Sequence, residues 1–350
     1  MLLVLLVTLL CIAVFGEAPG ASAPSEPGIS ANRDAQNLLL GISSYGSVAV
    51  AALTGNLLPA PYGMWAALSA MGLSTVPLWF VDTGQGALLS SIVLLSFLSA
   101  YHMPPEPDIT GGHNFPLAAT AFNAGQKFAM WSSYQAYRLT RNDPPMTDGE
   151  TSTVDTLPEL LLAPFRIRNM ADLSFWVPLL GACVTNIAGR ILTEGTDQSV
   201  FATGRAFVGR TEVPIGLGLL STLLVGAVNY TFTGIGEEAV FRGLEYRELS
   251  ERLGPAPARI INAITFPAVH VPQEIRNGAS FGSILIGLSW RAVTTLGLQW
   301  AYDTGGLQRS VAQHMWIDTL FGVINYLLFS GVEGEEGSLP AVMVGFDVRY

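Results

Sequence analysis

"VPIGLGLLSTLLVGAVNYTFT" (residues 213–233) runs without a single charge and then meets "GIGEEAVFRGLEYREL" (234–249), where two adjacent glutamates are followed by an arginine. The first piece is long enough to cross a ~30 Å hydrocarbon core as a helix rising 1.5 Å per residue. The second places ionisable groups at the end of a span, where they are costly unless they face a bundle interior or a water-filled cavity. If 236–252 is helical, Glu238 and Arg242 are four apart and share one face, the spacing of an ion pair. Glu237 then points about 100° away and is free for another task. A Glu-Glu pair before an arginine is also a common solvated helix end, so the rest of the chain has to decide.

The whole composition favours a membrane. Half of the 350 residues are hydrophobic and only 13% are charged, with a mean hydropathy of +0.42, whereas a soluble domain needs a charged surface. A net charge of −10 leaves no basic footprint and disfavours nucleic acid as a partner. Lys127 is the sole lysine among 17 basic residues, a bias that reads as genome composition. Apolar segments at 64–81, 86–103, 116–137, 173–193, 213–233, 281–301 and 310–330 are each close to a bilayer span, and 38–58, broken by Gly41, Gly46 and Gly55, is either a span or a re-entrant piece. "ARIINAITFPAVHV" (258–271) is too short to cross and is expected inside the bundle, shielded by other helices. The expected fold is therefore all-α, a polytopic transmembrane bundle of about eight helices, with the lipid bilayer as its surroundings.

Around this bundle the chain divides into four parts. Residues 1–23 read as a signal peptide, with Ala21-Ser22-Ala23 as the cleavage site, or as a first span. Residues 24–212 form an N-terminal transmembrane region with a polar loop at 138–172. A core follows at 213–330, then a tail at 331–350, whose "AVMVGFDVRY" alternates like a strand. The arginines of 138–172 favour the cytoplasm by the positive-inside tendency. A cleaved signal with 38–58 spanning puts the same loop outside, so sidedness stays open. With the signal removed, Cys183 has no cysteine to pair with and is expected to be a small core residue.

Three polar groups occupy the last third: Glu237-Glu238 with Arg242, Phe266 with His270 in "FPAVH", and His314 with Asp318 in "HMWID". A carboxylate in a desolvated site can take a proton from water and pass it on, and an imidazole can share that work. His314 and Asp318 again lie four apart, so the aspartate can orient an imidazole that donates to a developing oxyanion. Amide hydrolysis needs both functions. Each group alone has a plainer explanation as a core histidine or a helix-stabilising pair. Their coincidence in apolar surroundings favours chemistry. His102 and His113 stand beside Pro- and Gly-rich loops and look incidental.

"EEAVFRG", "FPAVH" and "HMWID" resemble, in order, the EExxxR, FxxxH and HxxxN/D motifs of the CPBP family of intramembrane proteases, which takes in Rce1-like CAAX prenyl proteases and Abi-type proteins linked to bacteriocin immunity. The segment "GLSWRAVTTLGLQWAYDTGGLQRSVAQHMWID" is similar to that family's glycine-containing span, TGGL turn and final histidine helix. The resemblance covers about 213–330. It implies a buried polar catalytic cavity in which Glu237 activates water beside His270, Glu238, Arg242 and Phe266 support the site, and His314 with Asp318 forms the oxyanion side. Asp318 stands where the prenyl-protease members carry asparagine. The implied function is an intramembrane endopeptidase acting on a membrane protein or peptide, in a bacterial inner membrane. A metal-free site is favoured; a zinc ion on Glu237, His270 and His314 is the alternative, since two histidines and a glutamate also build catalytic zinc sites. A competing function is a non-enzymatic transporter or immunity protein that uses the same charges as a proton or ion relay.

Overall fold

The computed structural model describes residues 46–58, 62–102, 117–141, 156–194, 196–208, 211–276 and 278–332. The expected signal peptide at 1–23, His113 and the strand-like end at 341–350 lie outside these. In chain order the α-helices are α1 (Ser47–Leu57), α2 (Tyr62–Val81), α3 (Thr83–His102), α4 (Leu117–Arg141), α5 (Leu157–Leu162), α6 (Ile167–Met170), α7 (Leu173–Glu194), α8 (Val200–Thr203), α9 (Ile215–Glu238), α10 (Arg247–Leu253), α11 (Pro255–Ala268), α12 (Val271–Arg276) and α13 (Phe281–Phe329). The only strands among the described residues are the two-residue pieces Phe207–Val208 and Thr211–Glu212, paired antiparallel. The described residues are all-α apart from this pair, as the apolar segments of bilayer length predict.

Two departures from helical regularity shape the molecule. A π-helical segment, Ala239–Tyr246, joins α9 to α10 without a break, so Ile215–Leu253 runs as one continuous rod. Pi turns are uncommon and concentrate at functional sites, because the wider turn re-aims the side chains around it. In α13, Gly306 adopts φ 66° and ψ −165°, a conformation that side-chain-bearing residues avoid. This break separates the apolar stretches expected at 281–301 and 310–330, and it falls in the "TGGL" turn.

Beside its apolar core clusters, the molecule buries many polar side chains and exposes many apolar ones. Gln126, Lys127, Ser132, Ser133, Glu238 and Arg242 are buried, while Leu217, Leu220, Leu224 and Val228 of α9 and Ile286 and Val293 of α13 face outward. Apolar exteriors around polar, small-residue interfaces are what helices in lipid require. Ile215–Leu253 and Phe281–Phe329 are long and apolar enough to cross a bilayer. The chain is thus built as a membrane protein.

Two expectations need correction. Helix α11 is not enclosed: Asn262, Thr265 and Phe266 are buried, but Ile260 and Ile264 are exposed. Its outward face is apolar, so lipid can cover it and only the polar face needs the bundle. The second half of the 138–172 connection is not a loop. It folds into α5, a 3-10 turn and α6, and it packs on the second half of α13. Arg166 and Arg168 both donate to Gln308 Oε1, at 3.0 and 2.8 Å, and Trp316 Nε1 donates to the Pro164 carbonyl at 2.9 Å. A capping box starts this segment: Thr156 accepts from the Glu159 backbone N–H while the Glu159 carboxylate accepts from Thr156 N–H. Thr156→Ala is expected to cost about 1 kcal/mol, measured by denaturation in micelles. Cys183 is buried beside Phe175, Leu179 and Leu298, in keeping with a core role.

Candidate active site

The three polar groups converge. Glu237, Phe266, His270, His314 and Asp318 line one pocket, together with Trp290, Arg291, Thr294, Leu298 and Ile317. Glu237 and Glu238 are the last two residues of α9, His270 lies in the turn between α11 and α12, and His314 and Asp318 lie on α13 beyond the Gly306 break.

Glu238 is the hub. Its side chain is fully buried and accepts from Arg242 Nη1 at 3.0 Å, from His314 Nδ1 at 2.6 Å and from the Ser310 hydroxyl. The i, i+4 contact of Glu238 with Arg242 therefore persists although the π segment begins at the residue after Glu238. The Arg242 guanidinium also sits 4.4 Å from the centre of the Phe266 ring, a cation–π contact strengthened by desolvation. Phe266 in turn meets Phe241, His270 and His314 edge to face, at centroid distances of 5.0, 5.2 and 6.0 Å. One ring therefore packs against both imidazoles and the arginine.

Glu237 points the other way. One oxygen, Oε1, accepts from Lys127 Nζ at 2.6 Å; the other, Oε2, lies 3.6 Å from His314 Nε2. Asp318 Oδ2 is 3.3 Å from the same Nε2. The histidine's orientation therefore has a different source from the one expected: Glu238 holds Nδ1, and Asp318 stands at the nitrogen that faces the pocket. His270 Nδ1 is 3.1 Å from the Phe266 carbonyl, a contact that assigns the proton to Nδ1 and leaves Nε2 as the acceptor. Arg291, on the pocket wall, is paired with Glu274 of α12 at 2.7 Å.

Lys127 was legible and misread. A lone lysine in the apolar segment 116–137 is an intramembrane ionisable group, the strongest default signal for a functional position, and its rarity concealed it as a compositional bias. Arg291, inside the segment expected at 281–301, carried the same signal; Ser310 and Trp290 carried none, and only packing brings them to the site. Among the described residues, no set of three or more His, Cys, Asp or Glu is arranged to hold a metal ion.

With this geometry in place, the comparison with protein families bears on the last third of the chain. Residues 219–320 match the family described as type II CAAX prenyl endopeptidase Rce1-like. The match contains Glu237, Glu238, Arg242, Phe266, His270, His314 and Asp318, and it leaves out Lys127. No curated protein and no solved structure matches the chain. The Rce1-like segment thus runs from within α9 to the middle of the second half of α13, and it implies protease activity of the CAAX intramembrane type.

Proposed function

We propose that this protein is a multi-pass intramembrane endopeptidase that hydrolyses a peptide bond of a membrane protein or membrane-bound peptide with a glutamate-activated water and no metal. The observation that carries the reading is the division of labour between the two adjacent glutamates. Glu238 is consumed by Arg242, His314 and Ser310, while Glu237 keeps one oxygen on the pocket side near His314 Nε2.

In this reaction Glu237 takes a proton from water as the water oxygen bonds to the scissile carbonyl carbon. The carbonyl oxygen becomes an oxyanion and accepts a hydrogen bond from His314 Nε2–H, whose ring is held by Glu238 at Nδ1. Collapse of the intermediate breaks the C–N bond, and Glu237 returns its proton to the leaving amine. His270, with its Nε2 lone pair, helps to hold the attacking water. Asp318, 3.3 Å from the same Nε2, holds the protonated ring of His314 before the substrate enters and yields that hydrogen bond to the oxyanion as it forms. Trp290, Leu298 and Ile317 give the pocket an apolar wall suited to a hydrophobic side chain of the substrate. The inner membrane of a bacterium is the proposed location.

Glu237→Gln is expected to lower cleavage by roughly 10²–10⁴-fold, the usual contribution of a positioned base. The measurement is comparative membrane proteomics of cells carrying wild type or the variant, followed by cleavage of the accumulated peptide by purified protein in detergent. Glu237→Asp separates this reading from a proton relay: shortening the side chain misplaces a base, whereas a relay keeps its titratable group. Equal cleavage by wild type and Glu237→Gln defeats the proposal. Activity is also expected to survive a strong zinc chelator.

A further inference from the structure

Lys127 belongs to α4, outside the matched region, yet its ammonium is the group closest to Glu237, and both side chains are almost fully buried, at 1% and 3% exposure. Its placement is built along the whole length of α4. One turn before it, Asn123 Nδ2 donates to Asn229 Oδ1 at 3.0 Å and to Thr233 Oγ1 at 3.1 Å. Further on, Tyr134 lies against Gly243, and Tyr137 donates to Glu248 Oε2 at 2.7 Å. These contacts fix the register of α4 on the Ile215–Leu253 rod. At the level of the site the two backbones nearly touch: a Cβ on Gly236 would lie 2.7 Å from Lys127 Cα. The lysine is therefore carried to Glu237 on a rigid element, held above and below.

We propose that Lys127 is a positioning residue for the catalytic base: it grips Oε1 of Glu237 and so aims Oε2 at the attacking water. The inference rests on the peptidase reading and deepens it. A carboxylate with two free oxygens can rotate about its terminal bond, and a base misaimed by about 1 Å loses on the order of 10²-fold in rate. With Oε1 fixed at 2.6 Å, that rotation is stopped, and the pocket-facing oxygen stays near His314 Nε2. Lysine suits the task because its ammonium is a compact charge on a slender stem, whereas a guanidinium is a planar fork that needs more room. The same charge offsets the cost of a carboxylate at membrane depth. An active site within the Rce1-like segment is thereby completed by a helix from outside it.

The test uses the full chain in dodecyl maltoside and a pooled library of N-acylated fluorogenic peptides, taking the sequence that wild type cleaves fastest. Lys127→Met is expected to lower kcat about 100-fold with KM within about twofold, and Lys127→Arg to recover about tenfold of that loss. Arg205→Gln, which breaks an exposed ion pair with Glu212 outside α4 and the pocket, keeps kcat. On a Glu237→Gln background, Lys127→Met adds no further loss, because the group it positions is gone. The inference is overturned if Lys127→Met keeps wild-type kcat while Glu237→Gln is inactive. If Glu237→Gln cleaves like wild type, or wild type cleaves no peptide, the peptidase reading itself has failed. Thermal unfolding then decides the pairing: the double variant should melt above Lys127→Met alone, and additive shifts in Tm overturn it. Should Lys127→Met not fold, Lys127→Arg and the double variant carry both comparisons.

Discussion

Glu238→Ala is expected to destabilise the protein by about 3–5 kcal/mol, the cost of leaving one member of a buried ion pair without its partner. Both side chains of the Glu238–Arg242 pair are fully buried. Removal of the carboxylate takes the Glu238 partner from the guanidinium above Phe266 and also frees His314 Nδ1 and the Ser310 hydroxyl, which both donate to Glu238. Denaturation in micelles measures the loss. A Glu238→Leu, Arg242→Met double variant should be much less impaired, because replacing both charges of a buried pair with apolar groups is often close to neutral. Even if it folds, it should cleave poorly, since His314 no longer has a carboxylate to hold its ring. A stability change for Glu238→Ala within about 1 kcal/mol, the range of exposed pairs, would contradict the hub assignment.

Gly236→Ala is expected to have the second large effect, by a route that involves no charge. The added methyl would meet Lys127 Cα at 2.7 Å, Cβ at 2.8 Å and the carbonyl oxygen at 2.9 Å. Backbone atoms cannot swing aside as a flexible side chain can, so α4 and α9 must move apart. Overpacking of this kind costs about 1–3 kcal/mol, and displacement of Lys127 from Glu237 should lower kcat about 100-fold. Gly216, in the same helix, is the control: an added Cβ there meets nothing within 4 Å. Gly216→Ala should leave cleavage unchanged and gain up to about 1 kcal/mol from helix propensity. Equal behaviour of the two variants would mean that the close approach of the helices has no bearing on the site.

Most of the element map was legible because it depends on local composition. Segments expected at 64–81, 86–103, 116–137 and 173–193 appear as Tyr62–Val81, Thr83–His102, Leu117–Arg141 and Leu173–Glu194. Runs of apolar residues near bilayer length have few other ways to satisfy their backbone in lipid. The errors fell where side-chain burial, not local pattern, decides. Helix α11 was expected inside because it is short and partly polar, yet one face of Ile260 and Ile264 suffices for an outer position. The arginine-rich connection looked like a loop because its helices are only four to six residues long, too short for an apolar period to emerge.

The site divides in the same way. By itself the sequence determined the contacts between residues close in the chain: Glu238 with Arg242 and His314 with Asp318, each pair four apart and so on one helical face. It also determined that one glutamate of the pair turns away from the other. What only the tertiary structure decided are the partners across the bundle. Lys127 reaches Glu237 over a separation of 110 residues, and His314 reaches Glu238 over 76. No periodicity reports such distances; they are set by how glycine-lined helices close upon each other, and that closure places the lone lysine of the chain against Glu237.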